Sequence, residues 1–246
     1  MNSFDIESID DLISKITDLR RKNSLKIWFR GHADKDWDLI PMVKRKPFIG
    51  REQYLTNDFY IKAKNRMKQA PGKEDYSGWL SLMQHYGLPT RLLDWSKSPL
   101  IAAYFATSNY QDYPNKDACI WAMHPLILNS HENFGEYLYP MDRNTVIKLI
   151  IPAFKTITPT DKIIACWAVE NDLRMFVQQA AFTVHDSDVP LNKLNIENML
   201  TRFIIPSHIK QKFANDLAIC GFSLSDIFPD IEKISIELRS ETVSGT

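Results

Sequence analysis

The chain has 246 residues, 44% hydrophobic and 24% charged, with 30 basic and 30 acidic side chains in balance. Such a length and composition exclude a disordered tail, a collagen-like repeat and a small disulfide-stapled scaffold, and they suit one large globular domain. Cys119, Cys166 and Cys220 are too few and too scattered for a disulfide framework or a zinc spacing, and no apolar run is long enough to span a bilayer.

The opening MNSFDIESIDDL has neither the basic flank nor the apolar run of a secretory leader, so a cytoplasmic protein with no membrane partner is expected. Ser8 reads as the N-cap of a helix in SIDDLISKITDLRRK, with Asp11 at the third helical position and Leu12, Ile13, Ile16 and Leu19 as its apolar stripe. LKIWFRG reads as a strand closing on Gly31. A second helix is predicted over 52–69, with Leu55, Phe59, Ala63 and Met67 on one face and most of the lysines opposite. PGKEDYSG is a loop, WLSLMQHYG a short helix stopped by Gly87, and TRLLDW a strand. Ser98 and Pro99 suit the N-cap and first turn of a buried helix, LIAAYFATS. In the second half ACIWAMHP, TVIKLIIP and RMFVQQAAFTVH read as strands, and Ser207 caps a helix that Gly221 ends. SLSDIFPDIEKISIEL reads as a turn and a last helix. The sum is an α+β domain over residues 1–246, helix-heavy at first and strand-rich later.

Between Pro41 and Lys73 nine basic residues stand against two acidic ones, Glu52 and Asp58, with Phe48, Tyr54, Phe59 and Tyr60 interleaved. Basic residues among aromatics are the footprint of a polyanion partner, which makes Lys44, Arg45, Lys46, Arg51, Lys62 and Arg66 candidates for nucleic-acid contact. A solvated helix face would carry the same composition. GxxxxGK[ST], GxGxxG, HExxH and GxSxG are all missing and glycines number only eight, which argues against a phosphate-cradling loop. Asp34, Asp36 and Asp38 approach the spacing that a metal-dependent nuclease needs, yet after a glycine they read more simply as a polar loop, and no metal is expected.

Two stretches carry chemistry. WFRGH sets Arg30 at the end of a strand beside Gly31 and His32, where a part-buried guanidinium needs a carboxylate or a phosphate. PTRLLDWSKSPLIAAYFA brackets a strand with Thr90, Asp94 and Ser96, and that strand meets the N-terminus of a helix, a favourable place for an anion. A structural Arg30–Asp94 ion pair and ordinary turn capping are the alternatives.

In order and spacing, WFRGH, WLSLMQHYGLPTRLLDWSKSPLIAAYFAT, RMFVQQAAFTVH and GFSLSDIFPDIEKI resemble the FRG domain family, named for the Phe-Arg-Gly of residues 29–31. The resemblance runs over roughly residues 8–235, and it implies a bacterial protein of the kind found near mobile elements and phage-defence genes. The same order is similar to ADP-ribosyltransferases of the Arg-Ser-Glu type. Arg30-Gly31 matches the end of their first strand, and AAYFA at 102–106 keeps their helix pattern. Asp94-Trp95-Ser96 stands where they have Ser-Thr-Ser, and Glu170-Asn171-Asp172, one carbon short at its last carboxylate, stands where they carry the catalytic Glu.

What this second likeness implies is an ADP-ribosyltransferase-like mixed β-sheet core with a helix-rich N-terminal half, and NAD as co-substrate. Arg30, Asp94, Ser96, Glu170 and Asp172 are then the catalytic candidates. Arg30 would hold the pyrophosphate or a ribose, Thr90 and Ser96 would add hydrogen bonds, and Tyr86 or Trp95 would stack on the nicotinamide. Gly31, His32, Arg91 and Gln178 complete the implied NAD-binding set. The implied activity is that of a mono-ADP-ribosyltransferase toxin of an anti-phage toxin–antitoxin system, acting on nucleic acid, RNA before DNA, with a cognate antitoxin as partner. A protein acceptor and a non-catalytic nucleic-acid-binding module are the competing expectations.

Overall fold

The structure, a computed structural model, describes residues 2–23, 26–168 and 173–244. After a short strand, β1 (Asn2–Asp5), the Ser8 hydroxyl accepts from the Asp11 amide at 3.1 Å and starts α1 (Ile9–Asn23) where the sequence predicts a helix. Leu12 and Ile16 are buried but Ile13 is exposed, so the apolar stripe is narrower than expected. β2 (Trp28–His32) runs one residue past Gly31. α2 (Glu52–Ala63) stops short of residue 69. α3 (Tyr76–His85) starts inside the expected loop because the Asp75 carboxylate caps it, accepting from the Gly78 amide at 2.8 Å. β3 (Leu92–Ser96) follows Gly87, whose φ of 76° ends the helix, and α4 (Pro99–Thr107) starts at Ser98 as predicted.

β4 (Ala118–Met123) leads to α5 (Pro125–His131), β5 (Tyr139–Pro140) and α6 (Asn144–Ile150). TVIKLIIP is therefore mostly helix, not strand. Its β-branched residues suggest a strand, but Val146, Leu149 and Ile150 recur at helical spacing and are the ones that α6 buries. β6 (Ile163–Trp167) precedes α7 (Leu173–Val177) and β7 (Ala180–His185). RMFVQQAAFTVH is thus a helical turn joined to a strand, and the chain changes direction at Gln179, where φ is 48°. β8 (Leu200–Ile205), α8 (Lys210–Ile219), α9 (Leu224–Ile227) and α10 (Ile231–Ser244) follow. Ser207 makes no side-chain cap; its amide donates to Asp117 at 2.9 Å instead.

In space the strands lie β1-β8-β4-β2-β3-β7-β6-β5, one eight-stranded mixed sheet that is parallel only in its outermost pairs. The chain is an α+β fold. Four strands precede residue 124 and four follow residue 138, so strand is not concentrated late in the sequence. One face carries two separate apolar clusters. Phe29, Ala102, Ala106, Ile120 and Phe203 pack with α1 and α8 over one half, and Leu80, Leu92, Val146, Leu149 and Phe182 pack over the other. Trp28, Trp95, Trp121 and Ile163 form the core of the opposite face.

The sheet opens at its centre. β2 and β3 share one register pair, Phe29 with Ser96, whereas β2 pairs with β4 along its whole length. Gly31 lies against α4: a Cβ built there would sit 1.9 Å from the Ala102 carbonyl oxygen and 2.6 Å from the Ala106 nitrogen. Only a residue without a side chain lets the helix backbone approach that closely. Gly31→Ala is expected to cost about 3 kcal/mol or more in urea unfolding, because neither neighbour is a movable side-chain end. Gly72→Ala, with nothing within 4 Å, serves as the control and shifts stability by less than about 0.5 kcal/mol. Equal midpoints for the two variants would contradict this packing.

Candidate functional site

A cleft of about 290 Å³ lies where β2 and β3 part. Alternation along β2 puts Phe29 and Gly31 on the α4 side and sends Arg30 and His32 the other way. Arg30 bridges the opening. Its Nη1 donates to the Asp94 carbonyl at 2.7 Å, and its Nε donates to His32 Nε2 at 3.2 Å. The Asp94 carboxylate stands 3.8 Å from Nη1, beyond hydrogen-bond range. That carboxylate accepts instead from Gln84 Nε2 at 2.7 Å, while Gln84 Oε1 accepts from the Thr90 hydroxyl. The stretch QHYGLPTRLLDW therefore folds back on itself, with Gln84 and Thr90 orienting Asp94. The Arg30 side chain is 21% exposed and that of Asp94 is 53% exposed, so both are open to a ligand.

Electrostatics in the cleft favour an anion. Arg30, Arg45 and Arg174 line it against one carboxylate, Asp94, among the described residues. Burial lowers the Arg30 pKa, with Asp94 opposing and Arg45 adding, yet a guanidinium stays charged throughout. Burial above all, then the Arg30 and Arg45 charges, pushes the His32 pKa well below its ordinary value. His32 is thereby neutral at Nε2 and able to accept from Arg30. Trp37, set edge-on to Tyr113, and Phe105 supply the aromatic walls. The Asn109 side-chain oxygen lines the same space, buried and without a hydrogen-bond partner among the described residues.

Of the residues singled out in the sequence, Arg30, Gly31, His32, Asp94, Trp95, Ser96 and Gln178 line this cleft. Several do so in other roles than expected. The Ser96 hydroxyl donates to the Gln178 carbonyl at 2.8 Å and accepts from the Ser98 amide at 3.0 Å, so it braces the turn into α4. Trp95 is buried with its indole N–H on Thr183 at 3.0 Å, which leaves it no face for a ring to stack on. Gln178 Nε2 donates to the Ile227 carbonyl at 3.1 Å. Thr90 sits behind Gln84, outside the cleft.

Tyr86 and Arg91 are corrections. Tyr86 is 65% exposed and lies outside the cleft, its ring edge-on to His85. Arg91 is buried and structural: its fork meets Glu52 at 2.9 and 2.6 Å, and Nη1 meets Asp186 at 2.7 Å and the Leu149 carbonyl at 2.6 Å. It ties α2 and α6 to the end of β7. Glu170 and Asp172 lie outside the described residues.

The basic stretch divides. Arg45 lines the cleft and donates to the Ile40 carbonyl. Lys44 is a correction, since its ammonium is sunk onto Asp188 at 2.6 Å and the Asp186 carbonyl at 3.1 Å. Lys46 and Arg51 are exposed and away from the cleft, and Lys62 and Arg66 line a separate groove beside α2. Asp34, Asp36 and Asp38 do not converge: Asp34 pairs with Lys116, and Asp38 with Lys193 and Asn192. Among the described residues no group of three or more histidines, cysteines or carboxylates is set to hold a metal ion, and no helix is long and apolar enough to cross a membrane.

Sequence reasoning missed Gln84, Phe105, Trp37 and Asn109. The first two sit inside WLSLMQHYG and LIAAYFATS; Trp37 and Asn109 reach the cleft from loops, which carry no periodic signal.

The buried histidines set a pH dependence. Burial drives the His185 pKa down to about 3, and His32 shifts the same way. Below about pH 6.5 the unfolded chain binds protons that these folded histidines refuse, so stability falls as pH falls. The loss approaches about 1.4 kcal/mol per pH unit for each such group. Urea unfolding between pH 6.5 and 5 should show a shallower slope for His185→Gln than for the parent; an unchanged slope would contradict the assignment.

A family model, FRG domain, matches residues 25–115. No curated protein and no solved structure matches the chain. The match is shorter than the span of the sequence resemblance, but it holds β2, Gln84, β3 and α4, which supply most of the cleft wall. Residues 25–115 thus match the FRG domain model, and most of the cleft's lining falls within that match.

Proposed function

We propose that the cleft binds NAD and that the chain is an NAD-dependent mono-ADP-ribosyltransferase, a toxin of bacterial antiviral defence that modifies nucleic acid, RNA before DNA. The observation that carries this reading is Arg30 held across the gap between β2 and β3 by neutral acceptors, with Asp94 only loosely paired to it at 3.8 Å. Two further arginines and two aromatic walls surround it, and a dinucleotide offers both a pyrophosphate and flat rings. The toxin context and a restraining antitoxin rest on the sequence resemblances alone.

The chain's own groups suit the chemistry. Cleavage of the nicotinamide–ribose bond builds positive charge at the anomeric carbon, and a fixed carboxylate stabilises that charge. Asp94, oriented by Gln84, is the carboxylate that the cleft offers. Glu170 keeps the candidacy that its place in the sequence gives it. Arg30, kept extended by its bonds to His32 and to the Asp94 carbonyl, would hold the pyrophosphate. Trp37 and Phe105 would shield the site from water, in place of the Tyr86 and Trp95 of the sequence reading. A second reading, a nucleotide-binding module without catalysis, is favoured by the Gln84 hydrogen bond that already occupies the Asp94 carboxylate.

The test is nicotinamide release from labelled NAD in the presence of bacterial RNA, DNA and protein. Label is expected on RNA, reduced about 100-fold in Arg30→Ala and in whichever of Asp94→Asn and Glu170→Gln removes the working carboxylate. NAD binding without nicotinamide release would favour the module, and label on protein would move the acceptor to the other class.

A further inference from the structure

We infer that a single strand of nucleic acid is held in a trough that leaves the cleft beside Asp94, crosses Leu88 and runs along α2, with Phe59 and Tyr86 as stacking rings and Lys62 and Arg66 as phosphate contacts. The inference deepens the proposed function, on which it rests for the strand's role as acceptor; the binding itself stands apart from NAD.

Continuity comes first. A shallow hollow of about 110 Å³ shares Arg30, Arg45, Gln84 and Asp94 with the cleft and adds Gly87 and Leu88. Leu88 is also a wall of a larger open groove, about 460 Å³, along α2. Neighbouring spaces that share walls thus lead from the Asp94 carboxylate towards the outside of the domain. Gly87, which has no side chain, keeps the middle of that path open.

The groove's lining is unusual for a helix that the sequence reads as amphipathic. Leu55, Phe59, Ala63 and Met67 should be its buried face, yet Thr56 is the buried residue of α2, and those four are left half-covered along the groove. Tyr86 stands 65% exposed beside them, its ring 6.5 Å from that of Phe59. Lys62 and Arg66, one turn apart, line the same groove, and Lys64 and Lys68 extend the positive run while Asp58 is the acid that lines it. The Lys62–Asp58 pair is exposed, so a phosphate can take the place of the carboxylate. Rings for bases and a positive edge for the backbone are the two parts of a single-strand site, where sequence-tolerant stacking adds to salt-dependent charge. A duplex keeps its bases stacked on each other and gains nothing from the rings.

The test is fluorescence anisotropy without NAD, using labelled single-stranded RNA of about 16 nucleotides, long enough to cover the groove with strand to spare. A helical peptide alternating leucine and glutamate faces is the competitor. Tyr86→Ala is expected to weaken RNA binding about tenfold. Lys62→Glu with Arg66→Glu should weaken it further and flatten the salt dependence by about two phosphate contacts. All three residues are exposed, and thermal melts confirm that the variants fold. RNA affinity indifferent to these changes, or a peptide bound more tightly than RNA, would overturn the inference. RNA bound as expected beside a chain that never releases nicotinamide would sink the transferase reading and leave the trough standing.

Discussion

The approach of α4 to Gly31 governs the centre of this fold. The helix backbone occupies the space where any other residue would place a Cβ, with the Ala102 carbonyl nearest. Small residues on both sides make that possible, since Ala102, Ala103 and Ala106 form the contacting face of α4 and are all buried. The consequences spread along the strand in both directions. Phe29, two residues back on the same side, is drawn into the cluster under α4, and the residue between them must point the other way. That residue is Arg30, which enters the opening between β2 and β3 rather than the core. Packing and chemistry are thus coupled in three consecutive residues: Phe29 anchors, Gly31 admits the helix, and Arg30 is delivered to the cleft.

The delivery determines what the cleft can do. A guanidinium that reaches across a gap in a sheet is expensive to desolvate unless several of its donors are met. His32 and the Asp94 carbonyl meet two of them with neutral acceptors, which hold the group in place without cancelling its charge. Gln84 hydrogen-bonds the Asp94 carboxylate, which pairs with the arginine only loosely, at 3.8 Å. The outcome is a net positive, aromatic-walled opening with one oriented carboxylate. Such a site suits an anion that also carries rings and a centre of developing positive charge.

How much of this the sequence revealed depended on how local the signal was. The caps at Ser8 and Ser98, the stop at Gly87 and the strand after it are short-range devices, and each was legible. TVIKLIIP misled because its β-branched residues suggest a strand while its burial follows a helical period. Arg91 misled for a different reason. It stands beside Thr90 in a motif rich in site residues, but its partners Glu52 and Asp186 are 39 and 95 residues away, and no spacing along the chain announces them. The α2 stripe is legible as apolar, but its exposure is not, because amphipathicity shows that a face is apolar and not what lies against it.

The most direct test of the account is a calorimetric titration of the chain with NAD, repeated on Arg30→Lys. A lysine keeps the charge but cannot hold the Asp94 carbonyl and His32 while presenting a second edge to a pyrophosphate. The account predicts NAD binding by the parent, weakened about tenfold or more in the variant, with both chains melting alike. Equal affinities, or no binding by the parent, would contradict the assignment of Arg30 as the group that holds the ligand.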